Sequence, residues 1–199
     1  MKKLRIGIIG LGMGRRHIAA FRNHPAGFIA AVADLDPVRL AAVKEECGIP
    51  AAYADAHEMI GREKLDVLCV ATPNYLHREF SIAGMEAGCH VFCEKPMAMN
   101  AAEAEEMLAV SRRTGRQLGI DFRFRFAPQS FAMKKLVDAG QLGEIYYGRT
   151  VWMRRRRLPG FGGWFGRKAL SGGGALIDLG VHRLDLALEL HGHLHQPDP

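Results

Sequence analysis

"RIGIIGLGMGRRH", residues 5–17, decides the fold. The apolar run Ile6–Ile9 ends at Gly10, and glycines recur at Gly12 and Gly14 before a polar, helix-like stretch begins. A short apolar run bounded by glycine reads as a strand buried on both faces. Glycines at such a turn let the backbone bend sharply, and they let a pyrophosphate approach main-chain N–H groups at the helix N-terminus. The spacing here is GxGxG, with the third glycine one residue earlier than in GxGxxG, so the context carries the reading. That context is Asp34, which closes the next apolar run, "FIAAVAD" (28–34), 24 residues after Gly10. An acid there can hold the ribose hydroxyls of an adenine dinucleotide. Leu35 and Asp36 follow with no arginine, so a 2′-phosphate would be repelled; NAD is favoured over NADP, although Arg15 and Arg16 lie nearby in sequence. The competing reading is a glycine turn in an α/β protein that binds no nucleotide.

Outward from this motif, strand and helix patterns alternate. "LRIGIIG" (4–10), "FIAAVAD" (28–34), "DVLCVAT" (66–72), "HVFCEK" (90–95) and "QLGIDF" (117–122) read as buried strands. The helices between them carry their own punctuation. Asp36-Pro37 supplies a cap and a first-turn proline, and Gly48 closes that helix. Asp55 with Glu58, and Asn100 with Glu103, resemble capping boxes. A βαβαβ order implies a doubly wound parallel sheet with right-handed crossovers, the α/β class of Rossmann type. The pattern changes after residue 122. Residues 128–139 read as a helix ending at Gly140, and 144–156 as a long strand; a glycine-rich loop and a last helix follow. Residues 1–122 are therefore expected to form a nucleotide-binding domain, and 123–199 an incomplete α/β domain of helix, strand, loop and helix. A long strand needs sheet partners, and no later strand pattern supplies them, so the second domain reads as cut short.

Bulk properties narrow the class. The chain has 199 residues, 48% of them hydrophobic and 24% charged, which suits a globular protein and argues against wholesale disorder. Its net charge of +6 suits anionic ligands without requiring nucleic acid. Arg154–Arg157 holds much of the excess, but it lacks interleaved aromatics, and on a strand its side chains would alternate faces. A solvated strand end or an anionic sugar site are the other readings. Cys47, Cys69, Cys89 and Cys93 show no ligand spacing, and no metal site is expected; a reducing, cytoplasmic location is the simplest reading. No run approaches the ~20 apolar residues of a membrane span. "HGHLH" (191–195) is rich in imidazole but has no acid or cysteine partner nearby, and reads as a tail.

Three further stretches carry candidate chemistry. "ATPNYLH" (71–77) closes a strand, where ligands bind in open α/β sheets, which makes Thr72 and Asn74 cofactor candidates. His77 is either a cofactor contact or a surface histidine. "CEKPMAMN" (93–100) puts Glu94 and Lys95 at another strand end. A lysine reaching into that cleft, beside a positive nicotinamide, could work as an acid–base group; the alternative is a solvated loop lysine. "GGGALIDLGVHRLD" (172–185), if α-helical, sets Asp178 and His182 one turn apart on one face, with Asp185 three residues on. That face is either satisfied core or the acid–base end of a site.

The combination of GxGxG with Asp34, "ATPNYLH", "EKPMA" and "GGGALIDLGVH" resembles the Gfo/Idh/MocA family of sugar and cyclitol oxidoreductases over nearly the whole chain. The resemblance implies a Rossmann domain, a second domain on a large open sheet, and hydride transfer between a nicotinamide cofactor and a secondary alcohol or ketone of a sugar, glycoside or cyclitol. It implies catalytic roles for Lys95, Asp178 and His182: His182 as base, Asp178 on substrate hydroxyls and the charged imidazole, Lys95 on the substrate oxygen. Cofactor contacts fall on Gly10, Gly12, Met13, Gly14, Asp34, Thr72, Asn74, His77, Glu94 and Lys95. Substrate contacts fall on Arg125, Trp164, Asp178, His182 and Asp185. Arg125, in "FRFRFAP" (122–128), is a substrate or structural arginine, with Arg123 as its competitor. Trp164 and Phe165 either cover a ring or pack, and Asp185 either binds substrate or orients His182. Family members are normally far longer, and most of the sheet that usually builds a substrate wall and a subunit interface is absent here; the exposed strand expected at 144–156 would invite self-association into a homo-oligomer. A nucleotide-sensing regulator and an inactive fragment are the rival readings; neither nucleic acid nor a membrane is an expected partner.

Overall fold

Strand ends and helix caps appear where local chemistry puts them. The structure, a computed structural model, describes residues 3–153, 155 and 163–191. Two compact units divide the chain: residues 1–121 with 169–172, and residues 122–168 with 173–199.

The first unit is a six-stranded parallel sheet in the order β3-β2-β1-β4-β5-β6. Its strands are β1 (Leu4–Ile9), β2 (Gly27–Ala33), β3 (Ala51–Tyr53), β4 (Val67–Val70), β5 (His90–Cys93) and β6 (Leu118–Ile120). The crossover helices are α1 (Gly14–Arg22), α2 (Pro37–Cys47), α3 (Ala56–Arg62), α4 (His77–Glu86) and α5 (Ala101–Thr114). This order is that of the doubly wound dinucleotide-binding folds, with the chain reversing direction of growth between β1 and β4. The short strand β3 escapes a sequence reading because three half-buried residues at a sheet edge carry no periodicity.

Both faces of the sheet are covered, which explains the unbroken apolar strands. Ile6, Ile8, Val32 and Cys69 pack with Ile18 of α1 and Val43 of α2. Leu68, Val70, Val91 and Cys93 pack with Met59, Met85 and Val110 on the other face. Desolvation pushes the Cys93 thiol up to about 12, so in this core it behaves as a small hydrophobe. All four cysteines are free.

The caps follow the expected residues. Asp36 accepts from the N–H groups of Val38 and Arg39, and Gly48 adopts φ +54° beyond the C-terminus of α2. Asn100 accepts from the Glu103 N–H while Glu103 reaches back to the Met99 N–H. Asp36→Ala leaves two first-turn N–H groups without their acceptor, and is expected to lower stability by about 1 kcal/mol, read from urea unfolding.

The second unit contains α6 (Pro128–Asp138), a short α7 (Lys168–Ser171) shared with the first unit, and α8 (Val181–His191), against which α6 packs. Two expectations need correction. No strand forms over 144–153: the described residues there lie outside any sheet, with Tyr146 95% and Met153 86% exposed. A strand exists only with a hydrogen-bonded neighbour, and the described residues offer none. The last helix is also not α-helical throughout. Leu176–Gly180 forms a wider π-helical turn, so Asp178 and His182 stand on segments of different pitch rather than on one α-helical face. Residues 154 and 156–157 of the arginine run and 192–195 of "HGHLH" lie outside the described residues.

Candidate active site

The glycine loop separates into three physical cases. Gly10 sits at φ +85°, and a Cβ there would meet the Ala71 carbonyl oxygen at 2.6 Å and the Thr72 nitrogen at 2.9 Å. It is required by the close approach of the ends of β1 and β4. Gly14 faces the Ile8 side chain, which a Cβ would meet at 2.8 Å, and so lets α1 lie on β1. Around Gly12 nothing lies within 4 Å of an added Cβ. The protein itself leaves that position room. The neighbouring Met13 is 37% exposed.

Asp34 is buried at the end of β2, and its carboxylate braces the same loop. One oxygen accepts from the Leu11 N–H at 2.6 Å and the other from the Asp36 N–H at 2.8 Å. No arginine follows Asp34 in the next two residues, but Arg39 of α2 lies 3.2 Å away. A helix brings residue i+5 back toward the strand end, which inspection of the two following residues cannot show. Arg15 pairs instead with Glu46.

Thr72 and Asn74 follow β4 as expected. The Asn74 amide donates to the Ser171 carbonyl at 2.8 Å, tying the returning segment 169–172 to the nucleotide-binding unit. His77 is not a surface residue: it is 1% exposed. Its Nδ1 lies 2.7 Å from the Pro96 carbonyl oxygen and its Nε2 2.9 Å from that of Thr72. Each ring nitrogen thus faces a backbone carbonyl of one of the two strand-end loops.

Glu94 and the half-buried Lys95 occupy the end of β5. Glu94 meets a partner the sequence reading missed, His17 of α1, whose Nε2 lies 2.9 Å from Oε1. Asp121, just after β6, joins them in a cluster whose ligating atoms all lie within 4.8 Å of one another. Phe92 meets the His17 ring edge-on at 5.5 Å and fixes its plane. The only sequence signal was the position of His17 three residues into the helix after the glycines.

In the second unit, Arg125 and Asp185 pair with each other. Arg125 Nε donates to both Asp185 carboxylate oxygens, at 2.9 and 3.0 Å, and its NH1 reaches Glu189 at 2.9 Å. The Asp185 carboxylate holds this guanidinium above its ordinary value. The pair joins the turn Arg123–Phe126 to α8. His182 is 4% exposed and stands among aromatic edges: Phe124 at 5.0 Å, Trp152 at 6.1 Å and Phe122 at 6.3 Å. The guanidinium of Arg183 lies over both Trp152 and Phe124, at 4.7 and 5.1 Å. Trp152, Phe124 and Arg183 were not singled out by the sequence, because an aromatic box of residues 124, 152 and 182 has no local spacing. Trp164 and Phe165 stack on one another at 3.8 Å.

A parallel sheet in this strand order, with a glycine turn after β1 and an acid closing β2, defines the Rossmann class of α/β proteins. Residues 4–122 match the oxidoreductase family with an NAD-binding Rossmann fold, and residues 131–196 match the GFO/IDH/MocA C-terminal domain, so the chain belongs to the Gfo/Idh/MocA family. It is 38% identical over 191 residues to D-glucoside 3-dehydrogenase of Escherichia coli K12, covering 95% of this chain and 54% of that protein. It is 30% identical over 190 residues to myo-inositol 2-dehydrogenase of Thermotoga maritima, covering 95% and 55%. The solved structure of a levoglucosan dehydrogenase complex with NADH and levoglucosan superposes with a TM-score of 0.83 at 28% identity, covering 96% of this chain and 54% of that one. The chain thus spans about half the length of these relatives.

Proposed function

We propose that the protein is an NAD(H)-dependent oxidoreductase moving a hydride between the cofactor and a secondary alcohol or ketone of a sugar, glycoside or cyclitol. The observation that supports cofactor binding best is the unfilled space at Gly12 between two glycines whose space the fold itself uses. A side chain is tolerated there by the protein, so its absence serves something that comes close to the backbone. The residues fit a dinucleotide: Gly10, Gly12, Met13 and Gly14 around the phosphates, Asp34 on the adenosine ribose, Thr72, Asn74, Glu94 and Lys95 along the strand ends. When bound, nicotinamide supplies the hydride-accepting chemistry.

The chain's own residues supply the rest. His182 takes the hydroxyl proton as the carbon is oxidised, and returns it in the reverse reaction. Asp178 holds substrate hydroxyls and favours the charged imidazole. Lys95 donates to the substrate oxygen and steadies the charge that grows on it. Arg125, through Asp185 and Glu189, anchors the helix that carries His182. His77 serves the cofactor site from behind, through the backbone, and Trp164 with Phe165 forms an aromatic wall. Among the described residues no helix is long and apolar enough to cross a membrane. Four free cysteines support a cytoplasmic location, and the exposed Phe126, Phe131, Tyr146 and Tyr147 support self-association.

The reading is tested by following NADH formation with purified protein against a panel of sugars, glycosides and inositols. Turnover by the wild type that survives both Lys95→Ala and His182→Ala removes the assigned roles; NAD binding without turnover favours the sensor reading. Asp34→Ala has a second expected outcome. It removes the acceptor of two backbone N–H groups as well as the ribose ligand. Calorimetric titration should therefore show weaker NAD binding, and urea unfolding a loss of about 2 kcal/mol. Unchanged affinity excludes the ribose assignment.

A further inference from the structure

We propose that His77 is a positioning residue for Lys95: buried between the Thr72 carbonyl after β4 and the Pro96 carbonyl beside Lys95, its ring donates to Pro96 and so fixes the backbone from which the lysine leaves. The inference rests on the reading of Lys95 as a group that meets substrate.

The geometry is specific. A carbonyl oxygen only accepts, so each contact, at 2.7 Å to Pro96 and 2.9 Å to Thr72, requires an N–H on the ring. The ring is 1% exposed, so water cannot replace either bond. The ring thus stands between two strand-end loops, one carrying Thr72 and Asn74 and the other Glu94 and Lys95, and it bonds whichever carbonyl faces a protonated nitrogen. Burial draws His77 below the ordinary histidine value; the two carbonyls and the Glu94 carboxylate oppose that, and the Lys95 ammonium reinforces it. A ring carrying one proton makes one of the two bonds, and the shorter contact places that proton on Nδ1, toward Pro96. A doubly protonated ring makes both. Either form keeps the link to the lysine loop, whereas a proton on Nε2 alone leaves only the Thr72 bond.

The wild-type test is therefore a tautomer measurement. Long-range 1H–15N spectra of 15N-histidine protein at neutral pH, with the signal assigned by its loss in His77→Gln, are expected to show Nδ1 protonated. A bare Nδ1 overturns the proposal. The second test reads the lysine itself. Acetic anhydride labelling of Lys95, normalised to Lys44 on the exterior of α2 and followed by mass spectrometry, is compared in wild type, His77→Gln and His77→Phe. The expected result is a several-fold change in Lys95 labelling in His77→Phe, partly reversed in His77→Gln, whose amide can still donate to one carbonyl. Identical Lys95 labelling in a folded variant overturns the proposal; where His77→Phe does not fold, His77→Gln against wild type decides. Neither measurement uses turnover, so both stand or fall separately from the Lys95→Ala activity test.

Discussion

Gly10→Ala is expected to destabilise the protein by about 3 kcal/mol or more, while Gly12→Ala leaves stability within about 0.5 kcal/mol of wild type and loses NAD affinity. The two glycines stand two residues apart and would be treated alike by any motif search. Their surroundings differ. At Gly10 a side chain faces a left-handed backbone, φ +85°, and three backbone atoms of Ala71 and Thr72 closer than 3 Å. Relief would require β1 and β4 to part at their ends, where Gly10 N–H is also bonded to the Ala33 carbonyl. At Gly12 an added methyl meets nothing of the protein. With the dinucleotide placed as proposed, the methyl meets the cofactor, and affinity is expected to fall by about tenfold or more, equivalent to about 1.4 kcal/mol. Urea unfolding and calorimetric NAD titration of the two variants separate the effects. Full NAD affinity in Gly12→Ala would remove the principal support for the cofactor site.

The second large effect concerns turnover. Lys95→Ala and His182→Ala are each expected to lower kcat/KM by about 10²- to 10⁴-fold, the range for a positioned proton donor or acceptor. The two losses differ in kind. Lys95 is half-buried at a strand end, so its removal is expected to cost less stability than removal of the enclosed His182. His182 is enclosed by Phe122, Phe124 and Trp152, and its removal opens a gap among aromatic rings. A stability loss of about 1–3 kcal/mol is expected to accompany the catalytic one, and His182→Gln recovers part of the packing but none of the base. Steady-state rates beside thermal melts distinguish these outcomes. Effects that combine far below additivity in the double variant would show that the two groups serve one transition state.

The legible part of this protein was the part written in local spacing. Apolar runs closed by glycine or an acid marked the strands over residues 4–122. Asp36, Asp55 and Asn100 marked helix starts, because a capping side chain bonds an N–H only two or three residues away. The glycine turn and Asp34 emerged from the same logic. The expected strand is absent over the described residues 144–153 for the complementary reason: alternation describes a surface suited to a sheet, and a sheet also needs a neighbour. The α-helical reading of 172–185 missed the π turn because apolar spacing in so short a stretch does not distinguish the two pitches.

Sequence by itself therefore determined the parallel α/β architecture, the position of the dinucleotide turn and the residue types available for acid–base work. Tertiary structure alone decided their company: Arg39 against Asp34, His17 against Glu94, Arg125 against Asp185, and the two carbonyls around His77. His17 with Glu94 and Arg125 with Asp185 join residues 77 and 60 positions apart, and even the shorter meetings depend on where a helix leaves a strand end. Packing of whole elements brings such groups together, and no periodicity along the chain encodes it.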